Sequence, residues 1–202
     1  MIEEYISRMR VSDKAGEILS LDGVKWAKFA IGELFIVEIG KAIDGNKVNK
    51  SAGKTPYITR KENTNGLDGF IDYNEDFINS RHPVITIGNE TAEPFVQDFP
   101  FYTGTKVNIL IPQIQTTKQA LMFVAQCLKI HKGKYSYAFT INSSRLKKQI
   151  IQLPANDSGC PDWQFMEQYM RMTEQTLLRR YITHITAMYP EIFPANQNHS
   201  QA

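Results

Sequence analysis

Side chains able to make or break bonds are thinly spread along this chain. His82, His131, His184 and His199 stand singly, with no HExxH-like pair and no cysteine cluster to complete a metal site. Solvated or capping imidazoles are the expectation for all four. No G-x-S-x-G elbow, P-loop or G-x-G-x-x-G turn occurs, and Gly66 and Gly69 flank Asp68 instead of opening a helix. The run CPDW from Cys160 to Trp163 contains the Pro-Asp pair of some nucleases. Without any lysine after Asp162 to help position metal and water, Asp162 reads as a helix-start acid. An Asn-Pro-Pro-Tyr-like segment, which would hold a flipped adenine, is missing too. Cys127 and Cys160 have no second thiol or histidine at ligand spacing and are expected to be inert free thiols. No catalytic residue, metal ligand or bound cofactor is therefore expected on this chain.

Charge is the more informative chemistry. From Phe99 to Asn156 there is no Asp or Glu, against Lys106, Lys118, Lys129, Lys132, Lys134, Arg145, Lys147 and Lys148. Because the whole chain balances to +2, the remainder is net acidic, so the asymmetry is regional. A local basic face points to a polyanion or a membrane headgroup layer. The plainer alternative is eight solvated cations that keep this half soluble. A second concentration of polar groups lies in KTPYITRKENTNGLDGFID, Lys54 to Asp72, where two strand-like runs enclose a loop.

The elements that must position these groups are those of an α+β protein with a twisted, largely antiparallel sheet and a long C-terminal helix. At 42 % hydrophobic and 22 % charged, 202 residues suffice for one domain with an appendage. Ile2, Tyr5, Ile6 and Met9 predict an N-terminal helix within residues 1–20. VKWAKFAIGELFIVEIGKAI predicts a half-buried strand pair, or one strand with an irregular lead-in. Further strands are expected at TPYIT, GFIDY, RHPVITIGNE and within EPFVQDFPFYTGTKVNILIP. TTKQALMFVAQCLKIHKG predicts a helix capped by Thr116 or Thr117 and ended by Gly133. KYSYAFT reads as a strand, and SSRLKKQIIQLP closes a domain of residues 21–157.

A spacer helix follows over 158–190, with Asp157 or Ser158 as its expected cap and Pro161 in its first turn. Trp163, Met166, Met170, Leu177, Tyr181 and Ile185 step along it by three, four or multiples of these. From Pro161 to Ile185 the rise is about 37 Å, more than one face of a small domain covers. Either part of the stripe meets a partner helix, as in a coiled coil, or the helix folds back on its own domain. The tail 191–202 is expected to be flexible. No run approaches the roughly 20 apolar residues of a membrane span, and charge throughout Met1 to Lys14 argues against a secretion signal, so a cytoplasmic protein is expected.

The order and spacing of five segments resemble the target recognition domain of restriction-modification specificity subunits, type I or type IIB-like. These are W-x-x-F-x-I-G-x-L-F from Trp26 to Phe35 with Gly40 after it, TPYITR…NGLDGFI, ITIG, PFVQDFPFY and LKKQIIQLP. The helix beginning PDWQFMEQYM resembles the segment that follows such a domain where the specificity protein serves a fused nuclease-methyltransferase. In the family it spaces recognition domains and docks the catalytic subunit. The usual subunit holds two domains and two such helices, whereas this chain shows one of each and no internal repeat. A half-length subunit could pair with itself or bring one half-site to a partner.

The resemblance implies a noncatalytic subunit that directs a partner methyltransferase, using S-adenosylmethionine, with or without a nuclease, to a site on double-stranded DNA. Arg60 and Lys61 would then meet phosphate or guanine, and Asn63, Thr64 and Asn65 base edges. Lys132, Lys134, Tyr135 and Tyr137 form a second candidate surface, extended along phosphates by Lys106, Arg145, Lys147 and Lys148. Trp163, Met166, Met170, Leu177, Tyr181 and Ile185 would face the methyltransferase or a second copy. Against this, the NG dipeptide marks a turn in which Asn63 and Asn65 could serve only the backbone. Tyr57, Ile58, Gly66, Gly69, Phe95, Phe99 and Phe101 are assigned to the scaffold. Two competing readings are an autonomous DNA-binding module or regulator, and an interaction protein whose basic half meets RNA or an acidic partner.

Overall fold

A computed structural model of the chain describes residues 19–135 and 140–189. Most of the expected N-terminal helix, the centre of KYSYAFT with Tyr137, and the tail 191–202 lie outside the described residues.

The described elements run β1 (Trp26–Ala30), α1 (Ile31–Leu34), β2 (Phe35–Ile39), β3 (Thr55–Ile58), β4 (Leu67–Ile71), β5 (Val84–Gly88), β6 (Pro94–Gln97), β7 (Tyr102–Thr103), β8 (Val107–Pro112), α2 (Lys118–Lys129), α3 (Ser143–Lys148), β9 (Ile150–Pro154) and α4 (Trp163–Met188). The α+β class and the mainly antiparallel pairing are as expected, with the strands divided over three sheets. A four-stranded sheet has the order β2-β8-β5-β6, a three-stranded one β4-β3-β7, and β1 pairs with β9. Only β3 and β7 run parallel among these pairs.

The segment from Trp26 to Ile39 is two strands, but they do not pair with each other. One helical turn separates them, opened where the Glu33 carboxylate accepts the Ala30 N–H at 3.1 Å. The turn redirects the chain, so β1 joins β9 and β2 joins β8. Residues of β5 are buried throughout, as a central strand requires, and the helix α2 packs on the sheet with Leu121 and Val124 inward. Thr117 caps α2, its hydroxyl accepting from the Ala120 N–H at 3.3 Å. Gly133 does not end it: α2 stops at Lys129, and a separate 3-10 turn spans Lys132–Lys134.

Tyr57, Ile58 and Phe101 are fully buried, as scaffold residues should be. Phe99 departs from that expectation with 43 % exposure, because it sits before Pro100 in the turn between β6 and β7.

The cap of α4 is Asp162, whose Oδ1 accepts from the Phe165 N–H at 2.9 Å, so Asp157 and Ser158 are not the cap and Pro161 lies outside the first turn. Its 26 residues extend about 39 Å. The first turns belong to the domain itself. Met166 is completely buried, Trp163 meets Phe35 edge-on at 6.3 Å, and Met170 packs against the main core. Met166 is therefore corrected from partner-facing to core, and Trp163 and Met170, partly buried, pack against that core where the helix meets α2. Gln119 on α2 reaches Glu174 at 3.2 Å. Beyond Glu174 the apolar side chains open to solvent, with Leu177 at 60 % and Tyr181 at 63 % exposure and Ile185 half-buried.

Candidate nucleic-acid interface

Several loops meet at one end of β3, β5 and β7. The loop after β3 closes on itself, the Thr59 N–H donating to the Gly66 carbonyl at 2.8 Å, and presents Arg60, Lys61 and Glu62 on its outer side. The Gly104 N–H donates to the Ile58 carbonyl at 2.8 Å, which draws the turn bearing Lys106 beside it. At the end of β5, a Cβ on Gly88 would stand 2.9 Å from the Arg60 Cα, so only glycine allows this approach without displacement.

Carboxylates are interleaved with these cations. Glu90 pairs with Arg60 and, at 3.7 Å, with Lys106. Asp68 takes Lys50 at 2.7 Å and also Lys61. Glu93 takes Lys129 at 2.5 Å and Lys132 at 2.8 Å, and Lys132 also reaches Glu62 at 3.2 Å. The acid-free stretch from Phe99 to Asn156 thus does not form an unbroken basic face, since Lys106, Lys129 and Lys132 are matched by acids from earlier in the chain. Sequence reasoning missed Asp68, Glu90 and Glu93. The signal was present in NETAE, directly after the ITIG strand, and in NGLDG.

Burial would raise the carboxyl groups of Asp68 and Glu93, but the hydrogen bonds and charges of their lysines outweigh it and hold both below the usual range. Lys132 is raised in return, first by its hydrogen bond to Glu93. His131 is lowered by burial and by the neighbouring Lys134 charge.

The polar side chains at the loop tip divide. Thr64 and Asn65 both have positive φ, 52° and 56°, and their side chains serve the fold. Thr64 Oγ1 donates to the Asn63 and Leu67 carbonyls at 2.8 and 3.0 Å, while Asn65 Nδ2 donates to the Val96 carbonyl at 3.2 Å and to Gln97 at 3.3 Å. Thr64 closes the turn on itself and Asn65 fastens it to β6, which is the turn reading of NG. Asn63 remains exposed.

A polar node ties α3 to the same loops. The Ile141 N–H donates to the Asn89 carbonyl at 2.9 Å, the Asn89 N–H to the Lys106 carbonyl at 3.0 Å, and Ser143 Oγ to the buried Asn108 at 2.9 Å. Arg145, at the start of α3, donates to the Thr140 carbonyl at 2.5 Å. Lys147 and Lys148 lie exposed at the far end of α3, where the Lys147 carbonyl abuts Gly32 of α1. Tyr135 is half-buried against the main core, its hydroxyl on Gln149 at 2.5 Å, and burial raises its phenol. The structure therefore gathers Arg60, Lys61, Lys106 and Lys132 around one loop. Lys134, Lys147 and Lys148 have no ion pair to that loop among the described residues.

Between the loops lies a recess of about 430 Å³ lined by Tyr57, Arg60, Lys61, Asp68 and Glu90 among others. Its chemistry is that of a donor-and-acceptor surface: guanidinium and ammonium groups for anions, with carboxylates that orient them.

Residues 23–180 match the family model described as the type I restriction modification DNA specificity domain. The chain belongs to that family. It is 46 % identical over 148 residues to the type II restriction enzyme BgcI specificity subunit S.BcgI of Heyndrickxia coagulans, a match covering 73 % of this chain and 43 % of that protein. The chain thus spans less than half the length of that relative. Among solved structures, its fold is similar to the type I restriction-modification system S subunit from M. genitalium, at TM-score 0.52 and 18 % identity over 69 % of this chain and 37 % of that one. It is also similar to the HsdS subunit from Thermoanaerobacter tengcongensis, at TM-score 0.51 and 14 % identity over 91 % and 43 %. In this specificity domain, then, the matched residues include every β-strand described above, the gathered loops and the first part of α4.

Proposed function

We propose that the chain is a noncatalytic sequence-specificity component of a restriction-modification system. It reads duplex DNA and brings a partner methyltransferase, using S-adenosylmethionine, with or without a nuclease, to the site. The observation that carries this is the gathering of Arg60, Lys61, Lys106 and Lys132 on loops at one end of a specificity-domain fold. Cations on such a rim position phosphates, and an arginine among them can address guanine O6 and N7. Lys134, Arg145, Lys147 and Lys148 extend the phosphate track.

The outer half of α4, with Leu177, Tyr181 and Ile185, is the docking face for the partner subunit or a second copy. Pairing of this face with that of a second copy would give a twofold assembly and a symmetric target site. No helix among the described residues is long and apolar enough to cross a membrane, and a cytoplasmic location suits a role on cellular DNA.

The test is to tag the chain in its native host and identify what co-purifies after nuclease treatment, so that shared DNA cannot bridge. Recovery of a methyltransferase supports the reading. A DNA-binding chain without one turns the assignment toward an autonomous module.

A further inference from the structure

We propose that Glu90 is a positioning residue for sequence recognition: it orients the Arg60 guanidinium and holds Lys106 back from indiscriminate phosphate contact. The proposal rests on the DNA-reading role argued above and assigns a second task within that site.

Three observations converge on this carboxylate. It accepts from Arg60 and lies 3.7 Å from Lys106, two cations on different loops. Its backbone neighbours are fastened to the same two loops, Gly88 against the Arg60 Cα and the Asn89 N–H on the Lys106 carbonyl at 3.0 Å. The turn that carries it is closed by the Ala92 N–H on the Gly88 carbonyl at 2.9 Å, with Ala92 at φ 52°. The Glu90 backbone is therefore held beside the Arg60 loop by the end of β5.

A guanidinium offers five N–H donors in a fixed fork. Left free, it meets the phosphates of any sequence. Held by a carboxylate on one edge, it keeps its remaining donors in one plane, which suits a guanine edge better than a backbone phosphate. The carboxylate also repels phosphate, so every register in which it faces the backbone is weakened. Such an acid lowers general affinity and raises discrimination.

The experiment compares the full chain with Glu90→Gln, Glu90→Asp and Lys106→Ala, each checked for unchanged thermal unfolding. Motifs are selected from a pool of random-sequence duplexes, and binding to an unselected duplex is titrated with salt. Wild type is expected to enrich a motif. Glu90→Gln is expected to bind the unselected duplex several-fold tighter, with a salt slope steeper by about 1, and to lose preference at one base position. Glu90→Asp should restore part of that preference, and Lys106→Ala should lower the slope on the unselected duplex by well under about 1, since Glu90 already holds that lysine back. An unchanged motif and salt slope in Glu90→Gln overturn the proposal while leaving DNA reading intact. Failure of the wild type to enrich any motif removes the DNA-reading role itself, and the proposal with it.

Discussion

Tyr169 of α4 stands edge-on to Phe123 of α2, ring centroids 5.5 Å apart with an interplanar angle of 87°. The contact joins a helix that sequence alone assigns to a spacer onto the domain it follows. Together with the burial of Met166 it divides α4 into a root that completes the core and an outer half that does not.

Met166→Ala should therefore lower stability by about 2–5 kcal/mol, as truncation of a buried side chain leaves a cavity. Chemical denaturation of the isolated chain measures it. A loss below about 0.5 kcal/mol would place the root of α4 away from the core.

Leu177→Asp and Tyr181→Asp should change stability by no more than about 0.5 kcal/mol, since both side chains are already in water. Association with the partner subunit or a second copy should be lost, which light scattering and co-purification read directly.

Glu93 is 4 % exposed and held by Lys129 and Lys132. Its carboxyl in the folded chain lies below the ordinary value of 4.5, so its contribution is present above that value and disappears as pH falls through the lowered folded one. Asp68 adds a contribution of the same sign, in the window below its ordinary 3.8. Glu93→Gln should reduce stability near pH 7 by about 1–2 kcal/mol, its lysines being able to turn to water. The variant and wild-type curves should converge in acid, which denaturation at several pH values checks.

Burial pushes the Cys127 thiol up to about 11, while Cys160 is exposed. A thiol reagent at neutral pH should modify Cys160 readily and Cys127 far more slowly, as mass spectrometry of timed samples would show.

The elements with a local signature were legible in the sequence. ITIG reads as a strand because its neighbours bury both faces, and α2 reads from Thr117 onward because cap and apolar period agree. The partners of β1 and β2 were not legible, because the single turn at Ile31–Leu34 redirects the chain without a strong sequence mark. The candidate site was half legible. Arg60, Lys61, Lys106 and Lys132 stood out by type, but the carboxylates that match them lie from 7 residues away (Lys61 with Asp68) to 70 (Lys132 with Glu62), and a charge profile along the chain cannot show pairing across loops. Asn65 misled for a related reason: the amide that could read a base is needed at the edge of β6.

DNA reading by the loops of this specificity domain is tested by comparing Arg60→Ala with Lys148→Ala on a selected duplex and its single-base variants at fixed salt. Arg60→Ala should relax preference at one position, by about 1–3 kcal/mol of lost discrimination, whereas Lys148→Ala should weaken all duplexes alike. Equal, sequence-blind losses in both variants would contradict it.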